Sequence, residues 1–135
     1  MDPTLTHALE ATAKQVHACL SGLPADHWDA KPLAPIGSPR EIVNHLCDVY
    51  RAVVAQAQGS EYEWGSFALP PGSDPLSVWR EERNRAVESL AKADAEAATN
   101  LGIHYIALHD AYHVGQLCAV RLALDPEWDA YSIYR

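Results

Sequence analysis

Residues 38–57 read SPREIVNHLCDVYRAVVAQA, and they carry a helix start, a helix stripe and a polar group set on that stripe. Ser38 followed by Pro39 is an N-cap followed by the first helical residue, where proline's missing N–H costs nothing and its φ is already helical. Glu41, three residues after Ser38, completes a capping box. Ile42, Leu46, Val49 and Val53 then recur at helical spacing, and Gly59 ends the segment. His45 falls among Ile42, Leu46 and Val49, on the side turned to a core.

Working outward, the same punctuation opens two more segments, at Asp2-Pro3 and Asp74-Pro75. Segment 3–21 places Leu5, Leu9, Val16 and Leu20 on one face and stops before Gly22 and Pro24. Segment 75–93 carries Leu76, Trp79, Ala86, Val87 and Leu90, with Arg80, Glu81, Glu82 and Arg85 elsewhere on its circumference. A fourth helix is expected from Thr99 or Asn100 to Leu124, with Ile103, Ile106, Leu117, Val120 and Leu124 as its stripe and Pro126 as its stop. Nothing alternates with the period of a strand. Four amphipathic helices of about twenty residues, each ~30 Å long, are the material of an all-α four-helix bundle.

The connections are unequal. Residues 22–37 hold Gly22, Pro24, Pro32 and Pro35 and read as a polar, irregular link. Residues 59–74, GSEYEWGSFALPPGSD, are longer; extended at ~3.3 Å per residue they can travel the length of a bundle. Such a crossover leaves the second and third helices running the same way.

Composition bounds the rest. A chain of 135 residues with 48% hydrophobic and 21% charged residues fits one domain, 1–135. Ten Lys and Arg against eighteen Asp and Glu give a net charge of −8, which repels phosphate backbones and argues against nucleic-acid partners. Cys19, Cys47 and Cys118 are odd in number and far apart, unlike a disulfide framework. The N-terminal segment has no signal-peptide pattern, and no apolar run approaches the ~20 residues of a membrane helix. The expected setting is cytoplasmic, away from membranes.

Of seven histidines, His109 and His113 are the informative pair. Four residues apart, they lie about 40° from each other on a helix and inside or beside the stripe of Ile106, Leu117 and Val120. With His45, three imidazoles from two helices point toward one core. Burying three basic groups costs several kcal/mol unless each finds a partner, and one metal ion satisfies all three neutral rings at once. His104 is expected to face away, and His7, His17 and His27 share no face, so these four read as surface or packing residues. Three histidine ligands leave a coordination position for water or substrate, which suits hydrolysis or thiol transfer.

Around this triad, Gln116 and Tyr105 are the candidates for substrate contact or proton handling. Asp48 and Asp110 lie close in sequence to ligands and could orient an imidazole from behind, but read first as solvated carboxylates. Cys47 and Cys118 read as ordinary thiols. Trp64 and Phe67, with Trp128, Tyr131 and Tyr134 in the tail, are expected to pack on the bundle or to cover the interface of a homodimer.

His45-Leu46 on the second helix, and LHDAYHVGQL with Arg121 on the fourth, resemble the DinB/YfiT-like superfamily of metal-dependent proteins. Residues His109 to Gln116 match that family's H-x-x-x-H-x-G-Q element, and the layout of helices and histidines agrees along the whole chain. The resemblance implies an up-down-down-up bundle holding a divalent metal, zinc or nickel, on His45, His109 and His113. It also implies a small-molecule substrate and relatives that use a low-molecular-weight thiol for S-transfer. From the residues, three readings stay open: a metal-dependent enzyme, a non-catalytic metal-binding or metal-sensing bundle, and a metal-free dimerisation module.

Overall fold

Helix starts at Asp2, Ser38, Asp74 and Asp94 each carry a side chain that accepts from the helix's orphan amides. In the computed structural model, which describes residues 1–135, α1 spans Pro3–Leu20, α2 Pro39–Ala57 and α3 Pro75–Lys92. Asp2 accepts from the amides of Thr4 and Leu5, Ser38 and Glu41 form the reciprocal capping box, and Asp74 accepts from Leu76. The last long helix starts earlier than Thr99. Asp94, accepting from the amide of Ala97, opens α4 at Ala95–Leu101. The helix then continues through a π-helical stretch, Gly102–Ala107, into α5, Leu108–Leu124.

The π stretch changes which residues face inward. Its turns hold one residue more than α turns, so a wheel drawn at constant angle misplaces the residues within it. Ile103, expected on the stripe, is 37% exposed, whereas Ile106 is sealed; Leu124 is only half-buried. Gly102 opens this stretch at a point of close packing. A Cβ there would stand 3.0 Å from Leu5 Cδ1 and 3.3 Å from Leu90 Cδ1, so any larger residue would push these leucine methyls back by a few tenths of an ångström where α1 and α3 close onto the helix.

Side-chain pairings give the directions. Arg83 reaches Leu9 and Thr12, while Arg80 reaches His17, so α3 runs against α1. Leu5 lies at Gly102 and Cys19 at Val114, so the final helix runs with α1. His45 meets His113 and Tyr50 meets Asp110, which sets α2 against α5. It follows that α2 and α3 are parallel, the up-down-down-up order, and the chain must return along the bundle between them. The return is pinned to α2. Asp48 accepts from Tyr62 Oη and from the amides of Gly65 and Phe67, and Asn44 binds the carbonyl of Phe67 and the amide of Leu69.

Asp48 is therefore not a solvated carboxylate. It is buried, and although burial works to raise its carboxyl, the bonds from Tyr62, Gly65 and Phe67 outweigh that and hold it below the usual range. Asp110 departs from expectation further. It is fully enclosed, accepting from Tyr50 Oη at 2.6 Å and from Arg83 Nε at 2.9 Å. Trp79 Nε1 donates to the same Tyr50 oxygen at 3.0 Å. Burial first, and the Asp110 charge second, push the Tyr50 phenol well above its usual range, so it stays a donor. Both carboxylates depart from the solvated state expected of them because their partners come from other segments of the chain.

The tail packs only in part. Arg121 donates to the carbonyls of Cys19 and Ser21 at the end of α1 and lies over the ring of Trp128. Tyr131 and Tyr134, by contrast, are 71% and 73% exposed, and Trp64 is 52% exposed, so the chain does not bury these aromatics itself. Phe67 is half-buried against the core. No helix is long and apolar enough to cross a membrane.

Candidate metal centre

α2 and α5 bring His45, His109 and His113 together. His109 Nε2 stands 3.1 Å from His45 Nε2 and 3.2 Å from His113 Nε2, and the three ligand atoms lie within 4.8 Å of one another. Metal–nitrogen bonds of about 2.1 Å put tetrahedral ligand nitrogens roughly 3.4 Å apart, so the two close pairs match one ion, and the His45–His113 pair, within 4.8 Å, needs at most a small side-chain adjustment to join them.

Hydrogen bonding within the cluster cannot satisfy it. Gln116 Oε1 lies 2.8 Å from His113 Nδ1, with the amide nitrogen of Gln116 donating to Tyr112 Oη at 3.3 Å. An accepting Gln116 oxygen puts the His113 proton on Nδ1 and leaves Nε2 as a bare lone pair. His109 Nε2 then has two close ring neighbours, yet a neutral ring nitrogen offers one proton or one lone pair. One of the two contacts must stay unmet, whichever tautomer is drawn. A cation facing all three lone pairs removes the conflict.

Desolvation and the neighbouring histidines act in the same direction. Burial, then the charges His113 and His45 would carry, bring the His109 imidazole down to about 4 from 6.5. Burial likewise lowers His113, against the opposing pull of Gln116. Both rings are held in the neutral form that a metal requires.

The cluster is less enclosed than the helical wheel implied. His113 is 7% exposed, His109 is half-buried and its Nδ1 has no protein partner, and His45 is exposed. The triad forms a rim that opens outward. A groove of about 470 Å³ adjoins it, lined by Arg40, Glu41, Asn44, His45, Asp48 and Leu69. Gln116 thus touches the triad directly, whereas Tyr105 is 38% exposed on the π-helical stretch and makes no hydrogen bond to it. His7, His17 and His104 are exposed, as expected, and His27 is half-buried with its Nδ1 unpartnered. Cys19, Cys47 and Cys118 are free thiols, and burial pushes Cys47 up to about 12.

No protein-family model, no curated protein and no solved structure matches the chain. It is an all-helical, four-helix protein with a three-histidine cluster able to hold a metal ion, and the functional reading rests on that cluster.

Proposed function

We propose that His45, His109 and His113 bind one divalent ion and that the protein is a metal-dependent enzyme acting on a small molecule. The observation that carries this is the convergence of three Nε2 atoms that cannot satisfy one another. Such an ion supplies Lewis acidity, lowering the pKa of a water or a thiol that reaches it. The chain's own residues do the rest. Gln116 fixes the tautomer and orientation of His113, and the groove beside His45 offers room for a substrate on the open side of the triad. Tyr105, on the turn before His109, is the second candidate for substrate contact.

The order of the histidines and the His109–Gln116 element support membership of the DinB/YfiT-like superfamily. Thiol S-transfer with zinc or nickel is therefore the first activity to test, and hydrolysis the second. A homodimer is proposed on a separate observation: Leu108 and Tyr112, one turn apart on α5, are 58% and 63% exposed. Sedimentation of Leu108→Glu protein checks it, and an unchanged sedimentation coefficient counts against this face.

The deciding experiment is metal analysis of protein purified without an affinity tag or chelating resin. About one ion per chain is expected, lost on alanine replacement of any of the three histidines. Metal retained at full stoichiometry by the triple-alanine protein sinks the proposal. Thiol and electrophile panels on loaded protein then separate an enzyme from a metal-binding bundle without activity.

A further inference from the structure

The opposite side of the bundle, between α1 and α3, holds a second groove, of about 410 Å³. Its lining is unusual for a chain of net charge −8: Lys14, His17, Arg80 and Arg83 face it together with Arg135, and no acidic residue does. Most cations of this protein are paired, Lys31 with Glu41, Arg40 with Asp29, and both Arg51 and Arg85 with Glu82. Arg135 at the rim is held by Asp129. Lys14 and Arg80 form no ion pair, so their charge is uncompensated where they converge.

The floor of the groove adds an independent observation. Arg83 is only 4% exposed. Its Nε is bound by Asp110, and its Nη2 donates to the carbonyl of Leu9 at 2.7 Å and to Thr12 Oγ1 at 3.0 Å. No protein group accepts from its Nη1. Nη1 is not among the sealed polar atoms of the protein, so it opens to the groove, where an anion can accept from it. Arg80 Nη2 donates to His17 Nδ1 at 3.3 Å. Because arginine can only donate, His17 accepts there and keeps its ring proton on Nε2, a further donor. Low-dielectric walls around one sign of charge concentrate the field for an anion.

We propose that this groove binds a small organic anion by its carboxylate or phosphate head. The head lies on Arg83 Nη1, Arg80 and Lys14, and the apolar remainder lies against Ala13, Ala18 and the edge of Trp79. The site stands on the α1–α3 side and is independent of the metal reading.

The test is an NMR titration of ¹⁵N-labelled protein with phenyl phosphate, benzoate, inorganic phosphate and, as neutral control, benzyl alcohol. Saturable shifts at the Trp79 indole N–H and the Ala13 and Ala18 amides are expected with the two aromatic anions. Whichever of the two binds more tightly identifies the head group. Lys14→Gln and Arg80→Gln, both at exposed positions, should each weaken binding several-fold, and together at least about tenfold. His109→Ala should leave it unchanged. The proposal is overturned if no anion saturates below about 10 mM, if benzyl alcohol binds as well, if inorganic phosphate binds as tightly as phenyl phosphate, or if the double variant, folded by its own spectrum, binds undiminished.

Discussion

His109 and Asp110 are neighbours in the chain and stand in opposite circumstances. Asp110 is sealed in the core with each oxygen paired, to Tyr50 on one side and Arg83 on the other. His109 is half-buried, in contact with two other imidazoles and with its own Nδ1 unpartnered. The difference separates two uses of a buried polar group. A network complete within the protein holds helices together, and here it ties α2, α3 and α5 to α1. A cluster whose members all lack partners in one direction can take a group that arrives from outside.

That contrast is broken most directly at Asp110. Asp110→Ala leaves Arg83 charged and unpaired in the core and should cost about 3–5 kcal/mol, read from urea unfolding. A loss below about 1 kcal/mol would mean the pair is not the structural half of the comparison. The converse variant is His109→Ala. It should lower metal affinity at least about 100-fold while changing the stability of metal-free protein by no more than about 1 kcal/mol. Comparable damage by both variants to both readouts would erase the distinction.

Two milder changes sharpen it. Tyr50→Phe removes the hydroxyl that joins Trp79 to Asp110 and should cost about 1–3 kcal/mol, with metal affinity preserved. Gln116→Ala frees the His113 ring and should weaken metal binding about 10–100-fold, with little effect on unfolding. Metal titration against a chromophoric chelator distinguishes the two.

The smallest effect is in pH. His109 has its folded value lowered to about 4 from 6.5, so below the higher value the unfolded chain takes up the proton first. Stability present above pH 6.5 is therefore lost as pH falls toward about 4, and His113 adds in the same direction. The urea midpoint of metal-free protein should decline across that window, and less so in His109→Ala. The same shift means that protons compete weakly at His109. Metal retention should extend to lower pH than unperturbed imidazoles would allow, and alkylating Cys118, the one cysteine that is not buried, should not alter it.

Local chemistry made most of the architecture legible. Asp2, Ser38 and Asp74 announced three helix starts because a cap acts within four residues, and the apolar stripes named the core faces because burial follows helical periodicity. The His109–His113 pair was readable for the same reason, since residues four apart must lie on one face. That His45 joins them depends on α2 packing against α5, which no local spacing specifies.

What tertiary structure alone decided was the fate of polar groups whose partners are remote in sequence. Asp48 holds the return connection and Asp110 holds Arg83 across the core, yet both looked like solvated acids beside a ligand. The uncompensated cations of Lys14 and Arg80 became a groove only because α3 runs back along α1. The π-helical stretch turned Ile103 out of its stripe, a change that no regular wheel anticipates. Sequence determines what a residue needs within a turn or two of helix; which group supplies it depends on contacts made only when the chain closes on itself.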